Sequence, residues 1–229
     1  NIDQKQWLRS YLSEINRVSK NTSSRVLDSV FFGGGTPSLI EPWVINDILN
    51  EIQKHWTTKD NFEVTLEANP GSVDAKNFKA YKSAGVNRIS MGIQSLNEKD
   101  LKALGRTHTV SEALCAFEIA QQNFTAVSFD LIYARQNQKL TQWEMELNQA
   151  LDLGANHMSL YQLTIEQNTA FGDRYNRGLL KGLPSDDISA ELYDITSNLC
   201  EEKGFLAYEV SNYAQAGSES VHNLVYWRY

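Results

Sequence analysis

Apolar residues at Trp7, Leu8, Tyr11, Leu12, Ile15 and Val18, with Ile2 ahead of them, recur three and four positions apart, the spacing of one helix face. The pattern predicts a helix over Ile2–Val18 and a polar loop over Asn21–Arg25. Val26–Phe32 then carries the β-branched and aromatic residues of a buried strand. The same alternation continues. Helices are predicted over Glu41–Trp56, with Pro42 in the first turn where a missing N–H does no harm, over Asp74–Ser83 closed by Gly85, over Lys99–Leu104 ending at Gly105, over Val110–Gln122, and over Thr141–Leu153 with Gly154 as C-cap. Strands are predicted over Phe62–Glu67, Asn87–Gln94, Thr125–Tyr133 and His157–Leu163. Strands alternating with helices in this way argue an α/β fold with a parallel sheet and right-handed crossovers. A last helix over Ser185–Gly204 and a strand over Leu206–Val210 follow.

The strand ends carry the candidate chemistry. The first runs into Gly33, Gly34 and Gly35, followed by Thr36 and Pro37. One glycine satisfies a turn; three at the end of a buried strand let a ligand lie on the backbone and bond its N–H groups. This is neither common phosphate loop: no Lys-Ser/Thr follows the glycines, and Ser38 stands where G-x-G-x-x-G needs its last glycine. The later strands end at Glu67, Gln94, Asp130 and Gln162 with Thr164, and successive ends fall 33, 27, 36 and 32 residues apart, each close to one βα unit. Polar groups at the carboxyl ends of parallel barrel strands converge on one site. Glu67 and Asp130 each interrupt an apolar run, and an inward carboxylate there needs a bonded partner. A ligand bearing an amino group or hydroxyls would serve, and so would a buried arginine such as Arg106 or Arg88.

Composition narrows the class. The 229 residues are 41% hydrophobic, enough for one large domain. A net charge of −7 argues against non-specific nucleic-acid binding. No apolar run reaches membrane-spanning length and no signal peptide opens the chain. Cys115 and Cys200 lie far apart within helical patterns, the expectation for buried reduced thiols in a cytoplasmic protein. The chain starts at Asn1 rather than Met and stops after an aromatic cluster, as an interior piece of a longer protein would.

Eight segments together resemble the radical S-adenosylmethionine (radical SAM) family, in its oxygen-independent coproporphyrinogen III oxidase-like group, and most closely its heme-chaperone branch. They are Phe31-Phe-Gly-Gly-Gly-Thr-Pro-Ser-Leu39, Glu67-Ala-Asn-Pro70, Ser90-Met-Gly-Ile-Gln-Ser95, Leu104-Gly-Arg-Thr-His108, Ser128-Phe-Asp-Leu-Ile-Tyr-Ala134, Leu160-Tyr-Gln-Leu-Thr-Ile-Glu166, Tyr208-Glu-Val-Ser-Asn212 and His222-Asn-Leu-Val-Tyr-Trp227. The resemblance implies a partial TIM-like (β/α)6 barrel of which five strands are present. It implies a barrel over residues 1–165, without its first strand and cysteine loop. The last barrel helix and the start of a C-terminal α+β extension would occupy residues 166–229. SAM is the implied cofactor. Gly34, Gly35 and Thr36 would meet its methionine end, Glu67 would hold one SAM molecule, and Gln94, Arg106 and Asp130 would contact a second or its equivalent space. SAM offers an amino group and hydroxyls to carboxylates, and a carboxylate to an arginine fork.

The resemblance also implies a 4Fe–4S cluster on a Cys-x-x-x-Cys-x-x-Cys loop. That loop is absent from this sequence, and two cysteines cannot replace three thiolates. In the chaperone branch His222 would contact heme, with His222 or Tyr226 at a surface open to a flat porphyrin; a hydrogen-bonding histidine at a domain junction is the plainer reading. Among the other histidines, His108 reads as a cap or loop residue, and His55 and His157 as structural. Three functions follow. The first is a heme- and SAM-binding chaperone that passes heme to an acceptor protein. The second is an oxidase that decarboxylates coproporphyrinogen III, the radical SAM oxidoreductase chemistry. The third is a barrel enzyme for another nucleoside-like ligand, without a cluster.

Overall fold

The computed structural model describes residues 3–72 and 75–228. Ile2 and Asp74, the predicted starts of two helices, lie outside the described residues. The chain forms two compact units, and the strands β3 (Arg88–Gln94) and β4 (Ala126–Tyr133) each pass from one to the other along their length.

The first unit takes residues 1–92, 111–127 and 220–229. It contains α1 (Gln4–Thr22), β1 (Val26–Phe32), α2 (Pro42–His55), β2 (Thr57–Ala68) and α3 (Ala75–Ser83). Further along the chain it takes α5 (Val110–Asn123) and α9 (Val221–Trp227). β1 and β2 pair in parallel with Ser29 opposite Glu63 and Phe32 opposite Leu66, after a register shift between Leu27 and Ser29. β2 and β3 pair in parallel from Thr65–Arg88 to Ala68–Met91. α2 buries Val44, Ile48 and Ile52 against Leu8 and Ile15 of α1 and Leu27, Val30 and Phe32 of β1. Of the stripe that predicts α1, Leu8 and Ile15 pack here, whereas Trp7, Tyr11 and Val18 are exposed.

The second unit takes residues 93–110 and 128–219. It contains α4 (Glu98–Ala103), α6 (Leu140–Leu151), β5 (His157–Gln162), α7 (Ala170–Asn176), α8 (Asp186–Glu202), β6 (Leu206–Ala207) and β7 (Asn212–Ala214). β4 and β5 are parallel, with Ser128 opposite His157 and Tyr133 opposite Gln162. β7 runs antiparallel to both β5 and β6. Trp143 of α6 is fully buried, stacks on Tyr133 with ring centroids 5.3 Å apart, and donates its indole N–H to Thr196 of α8 at 2.8 Å.

Several boundaries move from their predicted places for physical reasons. α1 continues to Thr22, into the predicted loop, because Trp56 donates its indole N–H to the Thr22 carbonyl at 2.9 Å and so satisfies the helix end. β2 begins at Thr57 rather than Phe62, since Thr57 and Thr58 pair with Val26 and Leu27 ahead of the register shift. α6 closes on Asp152, with Gly154 two residues beyond at φ 78°. The last predicted strand is only Leu206–Ala207, after which Val210 is exposed and the chain turns back as β7. α7 has no apolar stripe to announce it; Thr169 caps it by accepting from the Gly172 N–H at 3.0 Å. Cys200 is buried as expected, but Cys115 is exposed because it lies off the face of α5 that buries Ala113, Ala116, Phe117 and Ala120. Among the described residues, no helix is long and apolar enough to cross a membrane.

Candidate functional site

In the first unit the glycine loop is shaped by what a side chain would meet. A Cβ on Gly33 would lie 2.6 Å from Phe31 Cε1 and 3.3 Å from Glu67 Cδ. Gly34 and Gly35 adopt φ 80° and 62°, and a Cβ on either would meet nothing within 4 Å. The loop is therefore packed from below at Gly33 and faces open space at the next two residues. The Gly34 N–H donates to Glu67 Oε2 at 2.9 Å, so the ends of β1 and β2 are joined by a charge-assisted bond. Thr36 follows at φ −143° and ψ 82° and leads into a short 3-10 turn at Pro37–Leu39. The buried Tyr81 of α3 anchors that turn, sharing its hydroxyl proton between the carbonyls of Ser38 and Ile40 at 2.7 and 2.8 Å.

His222 lies in the same unit, in the first turn of α9, and shares the Phe31 ring with the glycine loop. Its ring stacks on Phe31, with centroids 4.7 Å apart and planes 25° apart, and its Nδ1 is 3.2 Å from Ser29 Oγ. Glu63 of β2 holds the start of α9. Its carboxylate accepts from Ser220 Oγ and from the backbone N–H groups of Val221 and His222, each at 3.0 Å. Arg88 Nη1 lies 3.6 Å from the same carboxylate. Burial pushes the His222 imidazolium down from its usual range, and the Glu63 carboxylate only partly opposes this. A neutral imidazole whose Nδ1–H donates to Ser29 Oγ leaves Nε2 as a bare lone pair, the form that ligates iron. Val225, Tyr226 and Trp227 on the same short helix are exposed.

In the second unit Gln94 ends β3 and is buried, with φ 75°. Arg106 and Asp130 come together: the Asp130 carboxylate supports the charge of a half-buried Arg106 whose guanidinium burial disfavours. Arg88 serves Glu63 instead of Glu67. His108 is a loop residue, as read from the sequence, but a buried one, with Nε2 3.1 Å from the Ile93 carbonyl oxygen. His55 and His157 make structural bonds, to Asn16 at 3.1 Å and Tyr208 at 2.6 Å.

Two groups escape the sequence reading. Glu63 is one. The other is Glu146, buried on α6, which accepts from Ser95 Oγ at 2.6 Å, from the Leu96 N–H at 2.7 Å and from Arg135, itself 3.0 Å from Asp100. The signal for Glu146 is present: it interrupts the stripe Trp143, Leu147, Ala150 on the buried face of α6. Glu63 stands directly before the apolar run of β2 and carries no comparable mark.

SAM fits the first unit's groups. Glu67 Oε2 takes the Gly34 N–H, leaving Oε1 as an acceptor for an ammonium or hydroxyl beside an open backbone loop. A 4Fe–4S cluster does not fit this chain: it has two cysteines, and burial pushes the Cys200 thiol up to about 12. Among the described residues no group of three or more His, Cys, Asp or Glu could hold a metal ion.

The sequence model of the radical SAM superfamily matches residues 9–145, more than half of the chain. The chain belongs to that family, and its fold is the family's partial TIM-like α/β barrel. Its similarity extends to "Heme chaperone HemW" of Haemophilus influenzae, with 42% identity over 223 residues, covering 97% of this chain and 57% of that protein. It is also 37% identical over 224 residues to "Heme chaperone HemW" of Escherichia coli, covering 97% of this chain and 58% of the relative. The chain thus spans somewhat over half the length of these curated relatives. Among solved structures, "Coproporphyrinogen III oxidase (HemN) from Escherichia coli is a Radical SAM enzyme." superposes with a TM-score of 0.80 at 20% identity, covering 94% of this chain and 50% of that one. At that identity the likeness speaks for the fold alone.

Proposed function

We propose that this chain is the SAM-binding core of a heme chaperone of the radical SAM family. The observation that carries the proposal is the Glu67 carboxylate bonded to the Gly34 N–H beside an open, positive-φ glycine loop. Gly34, Gly35 and Thr36 offer backbone groups to the methionine end of SAM, and Glu67 accepts from its ammonium or ribose hydroxyls. In the second unit Gln94, Arg106 and Asp130 offer an amide, a guanidinium and a carboxylate to the same class of ligand. SAM supplies a sulfonium poised for reductive cleavage, chemistry that needs an electron from a cluster outside these residues. A cytoplasmic setting, with transfer of heme to an acceptor protein, is part of the proposal.

Identity of 37–42% to proteins named heme chaperones favours the chaperone over the decarboxylation of coproporphyrinogen III. On this reading His222 ligates heme iron through Nε2, beside the exposed Tyr226. A heme titration followed at the Soret band tests it. His222→Ala should weaken heme binding on the order of 10- to 100-fold and leave SAM binding unchanged. Equal heme affinities would remove His222 from the site and return weight to the oxidase.

A further inference from the structure

Gln94 is strained. A non-glycine residue in the left-handed region costs on the order of 1 kcal/mol or more and persists only where its surroundings over-determine it. The peptide before Gln94 is pinned, and so are the two residues after it. Downstream, Ser95 Oγ and the Leu96 N–H bond the same Glu146 oxygen, at 2.6 and 2.7 Å, and Arg135 holds that carboxylate in place. Upstream, the Ile93 carbonyl oxygen lies 3.1 Å from Nε2 of His108. A carbonyl only accepts, so Nε2 carries the proton and donates. The tautomer is thereby fixed, and the buried Nδ1 has no hydrogen-bond partner among the described residues. At 4% exposure His108 has no solvent to turn toward.

We infer that His108 is a positioning residue: its Nε2–H holds the Ile93 carbonyl and so fixes Gln94 in the left-handed conformation that presents its amide to SAM. The same loop, Leu104–His108, carries Arg106 to Asp130, with the Arg106 N–H bonded to the Leu101 carbonyl at 2.9 Å. One short segment therefore sets all three candidate groups of the second unit. The inference rests on the reading of Gln94 as a SAM contact, and the test separates the two.

The experiment titrates the purified protein with SAM by calorimetry and follows its thermal melting. Gln94→Ala should raise the Kd about tenfold. His108→Phe and His108→Met, which cannot donate, should do the same, whereas His108→Gln, which keeps a donor, should bind within about twofold of the native protein. Weakened binding in Gln94→Ala with native binding in both non-donor variants overturns the positioning role. Native binding in Gln94→Ala overturns the SAM reading instead, and melting then decides about His108. At positive φ glycine is easier than alanine, so Gln94→Gly should melt about 2–4 °C above Gln94→Ala in the native background. The order should vanish or reverse once His108 no longer holds the peptide. The same order in the native and non-donor backgrounds, or no order in the native one, refutes the proposal.

Discussion

Gly33→Ala is the sharpest test of how the glycine loop is built. The added methyl carbon would sit 2.6 and 2.9 Å from two atoms of the Phe31 ring and 3.3 Å from Glu67 Cδ. Carbon atoms in contact prefer about 3.5–4.0 Å, so the ring must retreat by roughly 1 Å. It cannot do so freely, because its face is stacked on His222 at 4.7 Å. Overpacking of this kind costs about 1–3 kcal/mol. The loss of unfolded-chain entropy on replacing glycine offsets about 0.4–1 kcal/mol of that, as Gly33 does not require positive φ. The net is a destabilisation of up to about 2.6 kcal/mol, centred near 1.3 kcal/mol, read as a fall in Tm of roughly 3–5 °C at the centre for a chain of this size. Scanning calorimetry of Gly33→Ala alone and combined with Phe31→Leu measures it. Removing the ring edge should recover most of the loss. Gly35→Ala should also lose stability, but through its backbone alone, with no recovery from Phe31→Leu. A Gly33→Ala protein as stable as the native one, or a loss that Phe31→Leu does not relieve, would refute this account of the loop.

Two further outcomes follow from titratable groups. The folded state disfavours charged His222, so the unfolded chain binds its proton more readily; stability should be complete above about pH 6.5 and decline as pH falls below that. Urea denaturation at pH 7.5 and 5.5 should show a smaller loss in His222→Gln than in the native protein, and an equal loss would contradict the burial argument. Iodoacetamide at about pH 8 should label the exposed Cys115 alone in the native state and reach Cys200, whose thiol is buried and pushed up to about 12, only after denaturation.

Much of the fold was legible because each core element has a clean period. The helix with Pro42 in its first turn, the β-branched and aromatic run that ends at Phe32 and the helix from Ser185 all appear close to where the pattern puts them. What stayed hidden depends on partners distant in sequence. The end of α1 is set by Trp56, 34 residues away, and the role of Glu63 by α9, 157–159 residues away. That Glu67 needs a bonded partner was legible from a carboxylate at a strand end; that the Gly34 N–H is one was not, since a backbone donor leaves no residue pattern. The buried state of His108 was not, since its partner is a backbone carbonyl and leaves no residue pattern.

The central claim is that Glu67 and the glycine loop hold SAM. The direct measurement is calorimetric titration of SAM into the native protein and Glu67→Gln. The substituted amide keeps an oxygen for the Gly34 N–H, so the loop and the melting temperature should change little. It loses the negative charge that strengthens bonds from an ammonium or hydroxyl, a loss of about 1.5–3 kcal/mol, or roughly 10- to 100-fold in Kd. A Kd in that raised range, with stability kept, is the predicted result. SAM bound by Glu67→Gln as tightly as by the native protein would contradict the account.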